Sequence, residues 1–431
     1  MIWIYRLLFL PALLLALPYY WWRMYRRGGY RHDFHHRFGL IDRPPPKQPG
    51  TRRIWIQAVS VGEIRALSPL IEALQGEPEL ELVITTTTST GYAILREEVS
   101  PRVLKVGIFP VDFVLFSRNA WRRLDPDLAI LMEGEIWPEH LHQARQRSVP
   151  VMLINGRLSD KSFRRYAKFP GLSGKLFRQL DTILAATPYD QERFLKLSAA
   201  AQTTSVTGSL KLDAPVGPLL TKTEGQALLA ELGFADASDH PIVLLGSSTW
   251  PGEEGLLLDV LKEALAEGLN VRLLLIPRHA ERRADIISLL EAQPLPWHLR
   301  TQAHQAPGPV MVYIADTTGE MVRLSQVADL AFIGKSLPPH DGGQTPVEAA
   351  ALGIPLVYGP KMSNFRHICR QLQEYGAAIR CEEAESVHAT LLELLRDQPR
   401  RQAIGSAGQR WHAGNQGATK RVVEAIREAL V

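Results

Sequence analysis

Short apolar runs alternate with amphipathic stretches along most of this 431-residue chain. The runs Ile54–Ala58, Leu82–Thr86, Val106–Phe109, Leu128–Met132, Val151–Asn155, Thr182–Ala185 and Thr204–Thr207 read as strands. Apolar positions with helical spacing, such as Ile64, Leu67, Ile71 and Leu74, lie between most of them. This alternation predicts a parallel sheet covered by helices. A second series begins beyond Val216 with Ile242–Leu245, Val271–Ile276, Val310–Ile314, Leu330–Ile333, Pro355–Tyr358 and Ala378–Arg380. A helical patch, Glu224–Leu232, and the polar turn "FADASDHP" separate the two series. The pattern therefore predicts two α/β, Rossmann-like domains, 51–215 and 241–412, joined by a linker over 216–240. In such sheets ligands bind beyond the carboxyl ends of the strands, so two facing domains would enclose a cleft between those ends. No internal repeat or low-complexity tract interrupts the pattern.

The N-terminus follows a different pattern. Residues 1–22 read MIWIYRLLFLPALLLALPYYWW, an apolar centre flanked by aromatics and followed by Arg23, Arg26, Arg27, Arg31 and Arg37. Aromatic rings favour the headgroup level, and basic residues favour the cytoplasmic side. Bulky aromatics stand where a signal peptide would need small residues. A span takes about 20 apolar residues, so Arg6, Pro11 and Pro18 make this one marginal. Residues 1–41 are expected to be a membrane anchor with a basic border, either a short span or an interfacial helix. The Pro-rich stretch 42–50, "DRPPPKQPG", is a linker. Residues 413–431 are expected to form a separate C-terminal helix.

Charge and cysteine usage narrow the function class. The net charge of +4 gives no general pull toward nucleic acid. Two cysteines, Cys369 and Cys381, exclude a disulfide framework of any density and a Cys-rich zinc pattern.

Several strand ends carry candidate chemistry. In "AVSVGEIRAL" (58–67), Glu63 sits where a strand hands over to a helix. It is either a general base facing a hydroxyl nucleophile or an acidic residue favoured by the helix dipole. Pro69 either kinks a helix begun at Gly62 or opens one capped by Ser68. In "LAILMEGEIWPEH" (128–140), Glu133 and Glu135 share a face if the backbone stays extended, and they either form part of a site at the sheet edge or belong to a loop that caps the helix after Pro138. "TTTTSTG" (85–91) is an anion or sugar-hydroxyl site, or an N-cap cluster. Asn155, Arg157 and Ser159, with Lys161, Arg164 and Arg165, suit an anionic ligand, or form a solvated basic face. Lys211, in "VTGSLKLD", can reach the same edge.

In the second half, "GSSTWPGEE" (246–254), "LIPRHAER" (275–282) and "DTTGEM" (316–321) follow strands. Arg278 and His279 suit a phosphate. Gly319 allows close backbone approach. In "GKSLPPHDGGQTPVEAAALGIPLVYGP" (334–360), Gly342 and Gly343 precede a helix with Thr345 as N-cap, Pro346 next and Glu348 at N3. Its amides can take a phosphate, and Glu348 can accept from ribose hydroxyls. Alternatively, Thr345 and Glu348 are a capping box, which leaves the glycine pair unexplained.

Together these stretches resemble the 3-deoxy-D-manno-octulosonic acid (Kdo) transferases. The resemblance runs through "SVGE", "TTTTSTG", "MEGEIWP", "NGRLSDKS", "TGSLKLD", "PRHAER", "DTTGEM" and "GGQTPVEAAALGIPLVYGP…NF", and covers nearly the whole chain. It implies the GT-B fold, with the C-terminal helix packed back on the N-terminal domain. It implies inverting transfer of Kdo from CMP-Kdo to lipid A precursor (lipid IVA), in lipopolysaccharide core biosynthesis. The site would be cytoplasmic, at the bacterial inner membrane. By matching motif, Glu63 is the general base, and Glu133 and Lys211 stabilise the transition state. Pro277, Arg278, Gly319, Glu320, Met321, Gly342, Gly343, Thr345, Pro346, Val347 and Glu348 fall in CMP-binding segments. Where the family usually has Gly-Gly-His-Asn, this chain has Gln344 and Thr345 after the glycines, so His-dependent donor contacts are lost. A monophosphate leaving group needs less neutralisation than a diphosphate, and no Asp-x-Asp pair lies near the key stretches, so neither cofactor nor metal is expected. Leu115, Phe116 or Phe163 are expected against acyl chains. Competing readings are another GT-B sugar-nucleotide enzyme, such as an epimerase or a diphosphate-donor transferase, and a non-catalytic membrane-tethered sugar-nucleotide binder.

Overall fold

The computed structural model describes residues 2–26, 32–214, 216, 219–235 and 240–430. Arg27 and Arg31 of the basic border, and parts of the expected 216–240 linker, lie outside the described residues. The chain divides into two compact units, Met1–Ala214 with Asn415–Val431, and Pro215–Gly414.

The first unit is built on β1 (Arg52–Ala58), β2 (Leu80–Thr86), β3 (Lys105–Ile108), β4 (Leu128–Met132), β5 (Val151–Gly156), β6 (Thr182–Ala185) and β7 (Thr204–Val206). They form one parallel sheet in the order β3-β2-β1-β4-β5-β6-β7. Successive side chains on a strand point to opposite faces. Ile54 and Ile56 of β1 and Ile130 of β4 accordingly enter one core, while Trp55, Ala129 and Leu131 enter the other. Burial on both faces is why these strands read as unbroken apolar runs. The C-terminal helix, Ala418–Leu430, places Val422, Val423 and Ile426 in the first of these cores. Asp213 fixes its start by accepting the Gly417 and Thr419 amides.

The second unit carries β8 (Ile242–Thr249), β9 (Val271–Pro277), β10 (Trp297–Leu299), β11 (Val312–Ile314), β12 (Leu330–Ile333), β13 (Leu356–Tyr358) and β14 (Ala378–Arg380). Its parallel order is β10-β11-β9-β8-β12-β13-β14. The sequence pattern shows six of these seven strands and omits β10, an edge strand of three residues. It also ends β8 at Leu245, whereas the strand runs on through Ser247 and Ser248.

In each sheet the chain winds first to one side and then to the other. The reversals fall between β1 and β4 and between β8 and β12. Open α/β sheets bind ligands at such switch points.

At the N-terminus, helix α1 (Ile2–Arg26) is apolar and long enough to cross a membrane. Helix α2 (Val61–Ala66) stops at Leu67, and α3 (Ser68–Gln75) starts afresh with Pro69 in its first turn. The helix is thus divided, and the Ser68 side chain makes no cap.

Candidate functional site

The first switch point gathers Glu63, Glu133, Glu135, Asn155 and Lys211. Ser60 ends the β1 loop in extended backbone and caps α2. Its hydroxyl donates to Glu63 Oε1 (2.9 Å), and the Val59 amide donates to Oε2 (2.8 Å). Glu63 is 6% exposed. Its pKa is raised, first by burial and then by the charge of Glu133; Val59, Ser60 and Lys211 oppose the rise. Glu63 thus stands in the first turn of α2, where the helix dipole favours an acidic residue, with its carboxylate buried and its pKa raised.

Thr86 and Thr88 support it from behind. Their hydroxyls donate to the Val59 carbonyl at 3.0 and 2.9 Å, fixing the residue whose amide grips Glu63. Thr88 also caps the following helix by accepting the Gly91 amide. These hydroxyls of "TTTTSTG" thus serve positioning and capping.

Beyond β4 the chain turns sharply. Glu133 takes a left-handed conformation, φ 55°, which costs of order 1–3 kcal/mol. Its amide donates to Ile154 O and its carbonyl accepts from Arg157 N, so β5 holds the turn in place. The expectation of a shared face in extended backbone fails for this reason. Glu133 and Glu135 still converge on the site from the turn. Lys211 Nζ lies 2.8 Å from Glu133 Oε1, and Asn155 Nδ2 lies 3.4 Å from the same oxygen. Glu135 is pushed up to about 7, mainly by burial and next by Glu63. Arg157 donates to Ser209 Oγ (2.8 Å), tying the β5 loop to the segment that carries Lys211. Lys161, Arg164 and Arg165 remain exposed on the helix Asp160–Ala167, which Ser159 caps.

The second switch point is organised by Glu253 and Trp250. The Glu253 carboxylate accepts the amides of Trp250, Lys335, Ser336 and Leu337 at 2.8–3.4 Å. It thereby joins the loop after β8 to the loop after β12. Burial, its largest influence, still pushes it up to about 7. Lys335 Nζ stands 4.6 Å over the Trp250 ring, and His279 and His340 flank that ring at 5.2 and 5.1 Å. Ser248 and Lys335 are both left-handed, and a Cβ at Gly334 would sit 2.3 Å from Ser248 O. The stretches 246–254 and 334–360 stand out in sequence, but Trp250, Glu253 and Lys335 are not singled out within them. A glutamate opening a helix directly after a strand-end turn is the signal that was available.

The expected donor-binding residues divide in character. Pro277 closes β9, and exposed Arg278 follows it. Met321 Sδ lies 3.5 Å from Ser248 Oγ, which brings "DTTGEM" to the β8 end. Gly319, φ +89°, faces open space. The Glu320 carboxylate is engaged elsewhere: Arg300 grips it at 2.6 and 2.7 Å, Thr317 donates to it, and its pKa falls to about 2, chiefly through Arg300.

The glycine pair has a packing reason. A Cβ at Gly342 would meet Asn364 Nδ2 at 2.6 Å, and one at Gly343 would meet Met362 Sδ at 2.3 Å. Both amides already donate, to Lys361 O and Lys335 O. The following helix spans Val347–Leu352, with Pro346 at its start. Thr345 donates to Glu348 Oε2 (2.8 Å) and accepts the Val347 amide (3.3 Å). This replaces the expected reciprocal box with Glu348 on the N-cap amide. Burial raises the Glu348 pKa.

Among the described residues, Asp33, His35 and His36 have metal-ligand spacing. Two of them already have partners, since Tyr92 donates to Asp33 and the Ile108 amide donates to His36 Nδ1.

Comparison with known proteins identifies the family. Residues 32–214 match the family model described as 3-deoxy-D-manno-octulosonic-acid transferase (kdotransferase). A 3-deoxy-D-manno-octulosonic acid transferase of Bordetella pertussis is 34% identical, over 95% of this chain and 95% of its own length. One from Haemophilus influenzae is 30% identical, over 98% of this chain and 95% of its own. The solved structure of UDP-GlcNAc 2-epimerase from Neisseria meningitidis is similar in fold, with a TM-score of 0.62 at 15% identity. It covers 87% of this chain and 100% of that one, and at such identity the likeness concerns the fold alone. With two Rossmann-like units of the GT-B class and full-length relatives of this kind, the chain belongs to the 3-deoxy-D-manno-octulosonic acid transferase family of glycosyltransferases.

Proposed function

We propose that the protein transfers Kdo, with inversion, from CMP-Kdo to a lipid A precursor at the cytoplasmic face of the bacterial inner membrane. The observation that carries this reading is the set Glu63, Glu133, Glu135 and Lys211 at the β1/β4 switch point of a chain in this family. The acceptor hydroxyl oxygen attacks the anomeric carbon of Kdo. The bond from that carbon to the phosphate oxygen breaks, and CMP leaves with the electron pair. Glu63 takes the hydroxyl proton. Its raised pKa makes it a stronger base than an ordinary carboxylate. Lys211, held against Glu133, offers positive charge where the Kdo carboxylate and the departing phosphate gather negative charge.

The second unit holds the nucleotide in this account. Arg278, Met321, Gly319 and the Thr345–Glu348 turn are the assigned contacts, with Trp250 and Lys335 added from the geometry. Helix α1 keeps the enzyme at the membrane that contains its acceptor. Titration calorimetry with CMP, UDP and GDP tests the donor assignment. CMP is expected to bind at least tenfold more tightly, and a preference for a diphosphate nucleotide would refute it.

A further inference from the structure

We infer that α1 lies in the plane of the membrane surface, and that an apolar patch of the first unit inserts beside it. Both ends of the helix are fastened to the same unit. Near its start, the Tyr5 hydroxyl donates to Asp112 (2.5 Å), and Arg6 forms two bonds of 2.8 Å to Glu139. Those anchors are built in: Asp112 is 2% exposed and accepts the Glu139 and His140 amides, and Glu139 is fully buried. Near its end, Tyr20 accepts from Arg37, which also donates to Phe109 O. Residues 6 and 20 are about 21 Å apart along a helix, so α1 runs along the unit.

A helix crossing the bilayer would carry Tyr5, Arg6 and Phe9 through roughly 30 Å of hydrocarbon, away from the folded unit. Keeping the anchors in place would instead draw the helices Val114–Leu124 and Pro138–Gln146 into lipid, with Arg118, Arg122 and Arg145 exposed on them. Charged side chains at that depth are costly. A helix lying at the headgroup boundary meets neither cost.

The rest of the surface points to lipid as the occupant. Trp3, Leu7, Leu8, Leu14 and Leu15 of α1 are all more than half exposed. From Phe9 a chain of ring contacts leads through Phe113 and Phe116 to Phe38, at 6.4, 5.2 and 5.2 Å. This chain ends among exposed Phe38, Leu40 and Leu115. The apolar surface is thus continuous from α1 onto the folded unit.

The inference rests on the lipid-acceptor reading only in choosing a bilayer as partner, and its test does not read activity. Both native cysteines are buried. An Ile2→Cys variant of the full chain is treated with a membrane-impermeant maleimide in inside-out inner-membrane vesicles and in detergent. Labelling in the vesicles to most of the detergent level is expected, because residue 2 stays on the cytoplasmic side. Labelling in detergent with none in the vesicles would overturn the in-plane helix. Separately, Leu115→Asp is expected to lower the fraction bound to phosphatidylethanolamine–phosphatidylglycerol vesicles several-fold. Unchanged binding would remove the patch from the membrane contact. A failed transfer assay would leave either result as it stands.

Discussion

Lys211 Nζ is 2.8 Å from Glu133 Oε1, a bond between residues 78 positions apart in the chain. It links the turn after β4 to the segment after β7, and it places a cation within the field of Glu63. In Lys211→Met, Glu63 loses a charge that lowers its pKa, so that pKa rises further. A general base works when deprotonated, so the acid limb of the kcat/KM profile moves to higher pH. The loss at the optimum is expected to be about 100-fold. Steady-state rates between pH 5 and 9 check both effects, and an unmoved acid limb would detach Lys211 from the base.

Two glycines of the second unit separate packing from access. Gly343 and Gly319 both have positive φ, but only Gly343 is crowded, by Met362. Alanine at either site bears backbone strain of about 1–2 kcal/mol. Overpacking adds roughly 1–3 kcal/mol at Gly343. Gly343→Ala is therefore expected to have the lower Tm. Gly319→Ala is expected to keep most stability and to raise KM for the donor, since it fills open space beside Met321. Thermal melts and donor saturation curves decide the matter.

Glu320 is a structural anchor, its carboxylate gripped by Arg300 and Thr317. Its carboxylate is held near a pKa of about 2 by Arg300, well below the ordinary value. A depressed carboxylate adds stability above its unfolded pKa and loses it as pH falls through the folded value. Glu320→Gln should therefore cost about 2 kcal/mol at neutral pH and progressively less toward pH 2. Urea titrations at pH 7 and pH 3 measure the difference, and an equal cost at both would contradict the ion-pair account.

Much of the fold was legible in the sequence because parallel strands buried on both faces leave unbroken apolar runs. β4, β6, β12 and β14 have the limits that their runs suggest. β10 was not legible: three residues at a sheet edge, preceded by Pro296, carry too little pattern. Strand ends pointed to Glu63, Glu133 and Lys211, and the structure brings these three together. The grip of Glu253 on four amides was not legible, because its partners at 335–337 are distant in sequence and donate from the backbone. The geometry of Glu133 was missed because a left-handed glutamate has no sequence signature. The crowding behind Gly342 and Gly343 depends on Asn364 and Met362, which only the tertiary fold supplies.

Transfer of Kdo onto a lipid with Glu63 as base is what the proposed function stands on. The most direct measurement is the mass of tetraacylated lipid A precursor after incubation with CMP-Kdo and the membrane-bound enzyme, with Glu63→Gln in parallel. Mass gains of one or more Kdo units are expected with the wild type, and a rate lower by about 10²–10⁴-fold with the variant. No gain from CMP-Kdo under conditions where CMP binds, or near-normal turnover by Glu63→Gln, would contradict it.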